Sequence, residues 1–214
     1  MLITKVVTYL REAYFAMSNS ASITDGVRLT TDTLRFHLHN YMGGIVQHDP
    51  SSETYNLIGD GLPSKIRLRQ RTGDYFVFYE IFLDQCYWIP PLFRSHISSI
   101  VDLGANIGLT TLYLQSYLQP GCRVVCVEPD PKNASLMRMN LNGLAATHPV
   151  DIVEVAISDH AGSARFSTGE TWGGSLARDN CVGGSNIEVR CWDMSTLMTF
   201  TNLDMSWLSV KMRM

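Results

Sequence analysis

With 214 residues, 45% of them hydrophobic and 17% charged, the chain is long and apolar enough to bury a core, which excludes an intrinsically disordered segment. A formal net charge of −3 gives no long-range attraction to a polyanion, so a general nucleic-acid-binding role has no electrostatic support. The five cysteines, Cys86, Cys122, Cys126, Cys181 and Cys191, are odd in number and contain no C-x-x-C pair, which argues against a disulfide framework or a zinc knuckle and for a reducing, cytoplasmic setting.

The chain opens on MLITKVVTYLREAYFAMSNSAS, where Lys5, Arg11 and Glu12 interrupt the apolar stretch that an export signal needs. Ile3, Val6, Val7, Leu10, Tyr14 and Met17 fall at helical spacing, so a short amphipathic helix is expected. No apolar run approaches the roughly 20 residues of a membrane span. From about residue 22 to 83, short strand-like pieces alternate with the turn signals MGG, GDGLPS and RTGD, which reads as a small β-rich segment without a long helix. Within it Ile66 and Leu68 alternate with Arg67, Arg69 and Arg71, the pattern of a strand with a solvated arginine face. His37 and His39, in FHLH, would share one strand face and offer two metal ligands, with no third in view.

After residue 97 the pattern becomes strand, turn, helix, repeated. SIVDL is a strand apolar enough to be buried on both faces, and Ile107, Leu109, Leu112, Tyr113 and Leu118 continue as a helix that Gln119-Pro120-Gly121 ends. CRVVCVE is a second strand, along which Cys122 and Cys126 lie roughly 13 Å apart, too far to bridge. In PDPKNASLMRMNLNGL, Asp130 is placed to cap a helix, Pro131 to begin it and Asn142-Gly143 to close it. VDIVEVAIS is a third strand. The order β-α-β-α-β implies an α/β fold with a Rossmann-like, doubly wound, mostly parallel sheet over residues 96–214, preceded over 1–95 by the helix and the β-rich segment. Ligands of such a sheet bind just past the carboxyl ends of its strands.

The turn after the first of these strands, D-L-G-A-N-I-G, holds only Gly104 and Gly108. It lacks the middle glycine of G-x-G-x-x-G and sets Asp102 where a pyrophosphate would be repelled, which disfavours a nicotinamide-dependent reductase. S-adenosyl-L-methionine combines an ammonium and a sulfonium with a carboxylate. Asp102 would attract the positive end, directly or through water, and free N–H groups along Gly104, Ala105, Asn106 and Gly108 would receive the carboxylate. Glu128 ends the second strand, where an acid can accept from two ribose hydroxyls, and Pro129 turns the chain away. Ala156, Ser158 and Asp159 follow near where an adenine would lie. Each has a plainer reading, Glu128 as a surface carboxylate and the turn as a connection that needs glycine for its backbone. The order of these features after three successive strands favours the cofactor. No residue is assigned as a general base; His160 follows the third strand, where a loop histidine is more often unremarkable.

YEIFLDQCYWIPPLF leading into IVDLGANIGLTTLYL, then VVCVEPDPKNASLMRMNLNG, VEVAISDHAGSARF and IEVRCWDMSTLM, resembles the FkbM family of S-adenosylmethionine-dependent class I methyltransferases over roughly residues 66 to 211. The resemblance implies the doubly wound fold and methyl transfer, usually to oxygen, on a small molecule or saccharide. Carried over by residue, Asp102, Gly104, Asn106 and Gly108 match the cofactor turn and Glu128 the ribose acid. Asn133 matches a further family position at the helix start, and Trp172 lies in a W-G stretch that family members hold near the reaction side. The family's fourth core strand continues as K-I-D-I-E-G-A-E where this chain reads WLSVKMRM: Lys211 matches, Arg213 stands at the aspartate, and the glutamate and glycine have no counterpart. The resemblance thus implies a core incomplete at the C-terminus, with a strand edge for the N-terminal segment, a partner chain or a second copy of the chain to cover. Two functions follow, an O-methyltransferase or a catalytically inactive remnant that binds the cofactor or serves as an interaction module.

Overall fold

Apolar residues at helical spacing do form the expected N-terminal helix, α1, over Leu2–Ser18. The computed structural model describes residues 2–43, 50–168, 175–176, 185–202 and 208–212. They fall into two units, Met1–Cys86 and Tyr87–Met214. In the first, α1 is followed by α2 (Ile23–Tyr41), β1 (Ser52–Asn56), β2 (Lys65–Arg69) and α3 (Asp74–Phe82).

The β-rich reading of residues 22–83 is therefore corrected: a 19-residue helix occupies its first third. Ser22 caps α2, its hydroxyl accepting from the Asp25 amide at 3.0 Å. The buried face is Asp25, Gly26, Leu29, Asp32, Thr33 and Phe36, a helical stripe of which half is polar, while the apolar residues Ile23, Val27, Leu34, Leu38 and Tyr41 recur at helical spacing on an exposed face. Those polar groups are buried because distant segments supply partners. The Tyr55 hydroxyl donates to Asp32 Oδ2 at 2.8 Å and lies 2.8 Å from the Tyr75 hydroxyl, while Thr33 Oγ1 is 2.8 Å from the Tyr79 hydroxyl. Burial pushes Tyr55, Tyr75 and Tyr79 well above the ordinary phenol range, so all three remain protonated.

On a helix His37 and His39 point in different directions rather than to one strand face. His37 Nε2 instead lies 2.6 Å from Glu12 Oε2. No group of three or more metal-ligating side chains occurs among the described residues. β1 and β2 pair antiparallel from Ser52↔Arg69 to Asn56↔Lys65, with Ile66 and Leu68 inside as the alternation requires. The arginine row does not survive as a solvated face. Arg71 lies beyond the strand, and Arg69 grips the buried Asp74, Nε to Oδ2 at 2.9 Å and Nη2 to Oδ1 at 2.8 Å.

The second unit contains α4 (Pro91–Arg94), β3 (Ser99–Leu103), α5 (Leu109–Leu114), β4 (Arg123–Val127), α6 (Pro131–Leu141), β5 (Val150–Val153), β6 (Ala156–Ile157), β7 (Gly162–Thr168), β8 (Ser175–Leu176), β9 (Ser185–Trp192), α7 (Met194–Thr201) and β10 (Leu208–Met212). Its main sheet has the order β10-β3-β4-β5, every neighbouring pair parallel. Alternate residues supply the two faces. Val101, Leu103, Val125, Val127 and Val153 pack with Leu197 of α7 on one side. On the other, Thr111 of α5 hydrogen-bonds Asp102 and lies 3.3 Å from Cys126 Sγ. Helices on both faces of a parallel sheet make this a doubly wound, Rossmann-like fold, as the strand-helix alternation predicts. The caps are also as read: Asp130 accepts from the Lys132 amide at 2.8 Å, and Pro131 opens α6.

One strand is corrected. VDIVEVAIS is not continuous: Glu128 still donates its amide to Val153 O at 3.1 Å, but the donors of the next rung turn elsewhere, Val155 N to Val153 O at 3.1 Å and Asp130 N to Glu128 Oε1 at 3.1 Å. Ala156–Ile157 leaves to pair parallel with Cys191–Trp192 in a second sheet, β6-β9-β7-β8, built mainly on the antiparallel β7–β9 pair. No disulfide joins Cys86, Cys122, Cys126 and Cys191 among the described residues, and Cys181 lies outside them. No helix among the described residues is long and apolar enough to cross a membrane.

Candidate cofactor site

The turn from β3 to α5 reverses its backbone three times in five residues: Gly104, Asn106 and Gly108 have φ of 72°, 51° and 84°. Glycine adopts this left-handed region freely, and asparagine is among the few other residues that do so readily. At Gly108 a second constraint acts, since a Cβ would lie 3.0 Å from Met137 Cγ and 3.3 Å from Leu141 Cγ. The spacing of D-L-G-A-N-I-G is thus set by the backbone and by the approach of α6.

The amides of this turn are engaged within the chain, which corrects the expectation of free N–H groups along it. Gly104 and Ala105 both donate to Val127 O, at 2.9 and 3.0 Å, Gly108 donates to Ala105 O at 2.8 Å, and Asn106 donates to Glu128 Oε2 at 2.8 Å. Asp102 lies beneath the turn. It is 0% exposed and accepts the Thr111 hydroxyl on Oδ2 at 2.7 Å, so it ties α5 to β3 and has no surface to offer a ligand cation directly.

Glu128 is not the surface carboxylate of the plainer reading, being 4% exposed at the end of β4. Oε2 accepts from Asn106 N, and Oε1 accepts from Asp130 N and Asn133 Nδ2, each at 3.1 Å. Burial pushes its carboxyl above the usual range, against the opposing pull of the hydrogen bonds from Asn133, Asp130 and Asn106. Three donors hold a carboxylate that has about four acceptor positions. Pro129 follows, half-buried.

The structure brings the turn and Glu128 into direct contact but places the other residues differently. Ala156 is buried within β6, and Ser158 donates its amide to Trp192 O at 3.0 Å and its hydroxyl to Asp159 Oδ1 at 3.1 Å. His160 Nδ1 lies 2.5 Å from Asp159 Oδ1, and this bond, with that of Ser158, holds the exposed Asp159 carboxyl below its usual range. Lys211 stands opposite Asp102 in the β10–β3 register. Trp172 and Arg213 lie outside the described residues.

Residues 102–203 match the family described as the Methyltransferase FkbM domain. That segment is similar to the FkbM methyltransferase domain. The chain is 35% identical over 88 residues to the methyltransferase sdnD of Sordaria araneosa, covering 41% of this chain and 33% of that protein. It is 38% identical over 66 residues to methyltransferase 1 of Beauveria bassiana (31% and 25%), and 31% identical over 61 residues to a carboxy-S-adenosyl-L-methionine synthase of Vibrio parahaemolyticus (28% and 25%). The chain thus spans a third or less of the length of these relatives.

Two residues that shape this turn escape a motif reading. Thr111 supplies the hydroxyl to Asp102, and Asn140 Nδ2 donates to Ile107 O inside the turn at 2.9 Å. For Asn140 a signal exists: it lies seven positions after Asn133, so α6 carries two polar residues on one face.

Proposed function

We propose that the FkbM domain binds S-adenosyl-L-methionine along the β3–α5 turn and the end of β4, and transfers its methyl group to an oxygen of a small molecule or saccharide. The observation that carries this reading is Glu128: a buried carboxylate at the carboxyl end of β4, bonded to the turn amide of Asn106 and with acceptor capacity left for a ribose hydroxyl. These residues fit the nucleoside part of such a cofactor. The amides of Gly104, Ala105, Asn106 and Gly108 do not fit its carboxylate, because they already donate within the chain.

When bound, the cofactor supplies a methyl group on a sulfonium. The protein's own part is positional: Glu128 orients the ribose, Gly104 leaves the rim of the turn without a side chain at that position, and Asp102 with Thr111 holds α5 against β3. The open rim of the turn is Gly104 and Asn106, both half-buried.

Calorimetric titration of the whole chain with S-adenosylhomocysteine and, separately, with NADH tests the reading. The homocysteine analogue binds, and Gly104→Val and Glu128→Ala abolish that binding. NADH binding alone, or analogue binding untouched by both substitutions, refutes the site. Incubation with labelled S-adenosylmethionine and a panel of alcohols and sugars then tests transfer; binding without transfer to any of them favours the inactive-remnant reading.

A further inference from the structure

α6 presents two buried asparagines, Asn133 and Asn140, one heptad apart and so on nearly the same face, displaced by roughly 20°. A buried carboxamide is costly unless bonded, and both bond into the site. Asn133 donates Nδ2 to Glu128 Oε1 at 3.1 Å, and Asn140 donates Nδ2 to Ile107 O at 2.9 Å. Both partners are acceptors, so each amide presents its NH2 group. Between them on the helix Met137 fills the space left by Gly108. One helix face thereby reaches both halves of the site, the acid after β4 and the turn after β3.

The terminal torsion of a glutamate is soft, so the direction of its carboxylate is set by the donors around it. Of the three donors to Glu128, two are backbone amides, of Asn106 and Asp130, and Asn133 is the side chain. The geometry points to Asn133 as a positioning residue that sets the Glu128 carboxylate toward the ribose diol of the cofactor, with Asn140 as its counterpart that holds the turn. This inference rests on the reading of the site as an S-adenosylmethionine site.

The test separates orientation of the acid from general support of the fold. Titrate the whole chain, and its Asn133→Ala, Asn133→Asp and Asn140→Ala variants, with S-adenosylhomocysteine and with an analogue lacking the 2′- and 3′-hydroxyls, and record thermal melting of each. The wild type binds the diol ligand at least about tenfold tighter than the deoxy analogue, a span ordinary for hydrogen bonds to a charged group. Asn133→Ala weakens the diol ligand about tenfold and the deoxy analogue less than about twofold. Asn133→Asp keeps the shape but sets a second carboxylate against Glu128, and weakens the diol ligand further. Asn140→Ala weakens both ligands alike. Equal losses for the two ligands in the Asn133 variants, or no loss, overturns the inference. If Asn133→Ala does not fold, the isosteric Asn133→Asp decides in its place. Equal wild-type affinity for the two ligands also overturns it. No wild-type binding of either ligand means that the cofactor reading itself fails.

Discussion

Gly108→Ala tests whether the D-L-G-A-N-I-G spacing is dictated by conformation alone or also by the packing of α6. Two costs act at this position. An alanine held at φ 84° pays the left-handed penalty of about 1–2 kcal/mol. Its Cβ would also stand 3.0 Å from Met137 Cγ and 3.3 Å from two Leu141 carbons, and overpacking of this kind costs about 1–3 kcal/mol. Gly121 isolates the first cost, with a φ of 82° but nothing within 4 Å of a built Cβ. Gly121→Ala is therefore expected to destabilise by about 1–2 kcal/mol and Gly108→Ala by about 2–5 kcal/mol. Urea unfolding followed by tryptophan emission reads the right part of the chain, because Trp88, Trp172, Trp192 and Trp207 all belong to the second unit. Equal midpoint shifts for the two variants would refute the packing argument. A smaller shift for Gly108→Ala would refute the whole account of the turn.

Three further outcomes are expected. Burial raises the folded-state carboxyl of Glu128 above its ordinary value of 4.5, so in the window above that value the folded state holds more proton than the unfolded one, and stability falls as pH rises; unfolding free energies of wild type and Glu128→Gln across that window must show the wild type losing ground with rising pH, and a difference that grows in its favour contradicts the sign. Asp74→Ala strips the buried partner from Arg69, whose side chain is itself 11% exposed, and costs about 3–5 kcal/mol by urea titration of helical circular dichroism; a shift under about 1 kcal/mol rules out the buried pair. Thr111→Val removes the hydroxyl that donates to Asp102 and costs about 1–3 kcal/mol by tryptophan emission, more than Asp102→Asn, which leaves no charge to satisfy; the reverse order sinks the argument.

The second unit was legible in the sequence because its signals are local. SIVDL, RVVCV and the Asp130-Pro131 start each depend on residues within one turn or strand, and all stand where the pattern puts them. The first unit was not, and α2 shows why. Threonines at 24, 30, 31 and 33, a glycine at 26 and aspartates at 25 and 32 argue against a helix by propensity, and the apolar stripe Ile23, Val27, Leu34, Leu38 and Tyr41 that does run at helical spacing lies on the exposed face, not the buried one. What stabilises the helix comes from elsewhere: Tyr55 on β1 reaches Asp32, and Tyr79 on α3 reaches Thr33. A reading that tracks apolar periodicity cannot see a face whose burial depends on partners 23 and 46 positions away. The break in VDIVEVAIS has a nearer cause. The donors of the next rung are taken locally, Val155 N by Val153 O and Asp130 N by the Glu128 carboxylate, so the ladder stops although the apolar pattern continues.

The same logic sorts the site residues. Gly104 and Gly108 could be read because their backbone demand is local, whereas the roles of Asp102 and Glu128 depend on which donors arrive. By charge alone both carboxylates belong on the surface, yet they are 0% and 4% exposed. Thr111 makes the first tolerable, and Asn106, Asp130 and Asn133 the second. A buried acid is therefore only half of a motif, and its function is written in the residue that donates to it. For Asp102 the donor sits on α5 beneath the turn, which makes that acid a tie between strand and helix. For Glu128 the donors come from the turn itself, from Asp130 and from α6, which makes it the point where the two strand ends are joined.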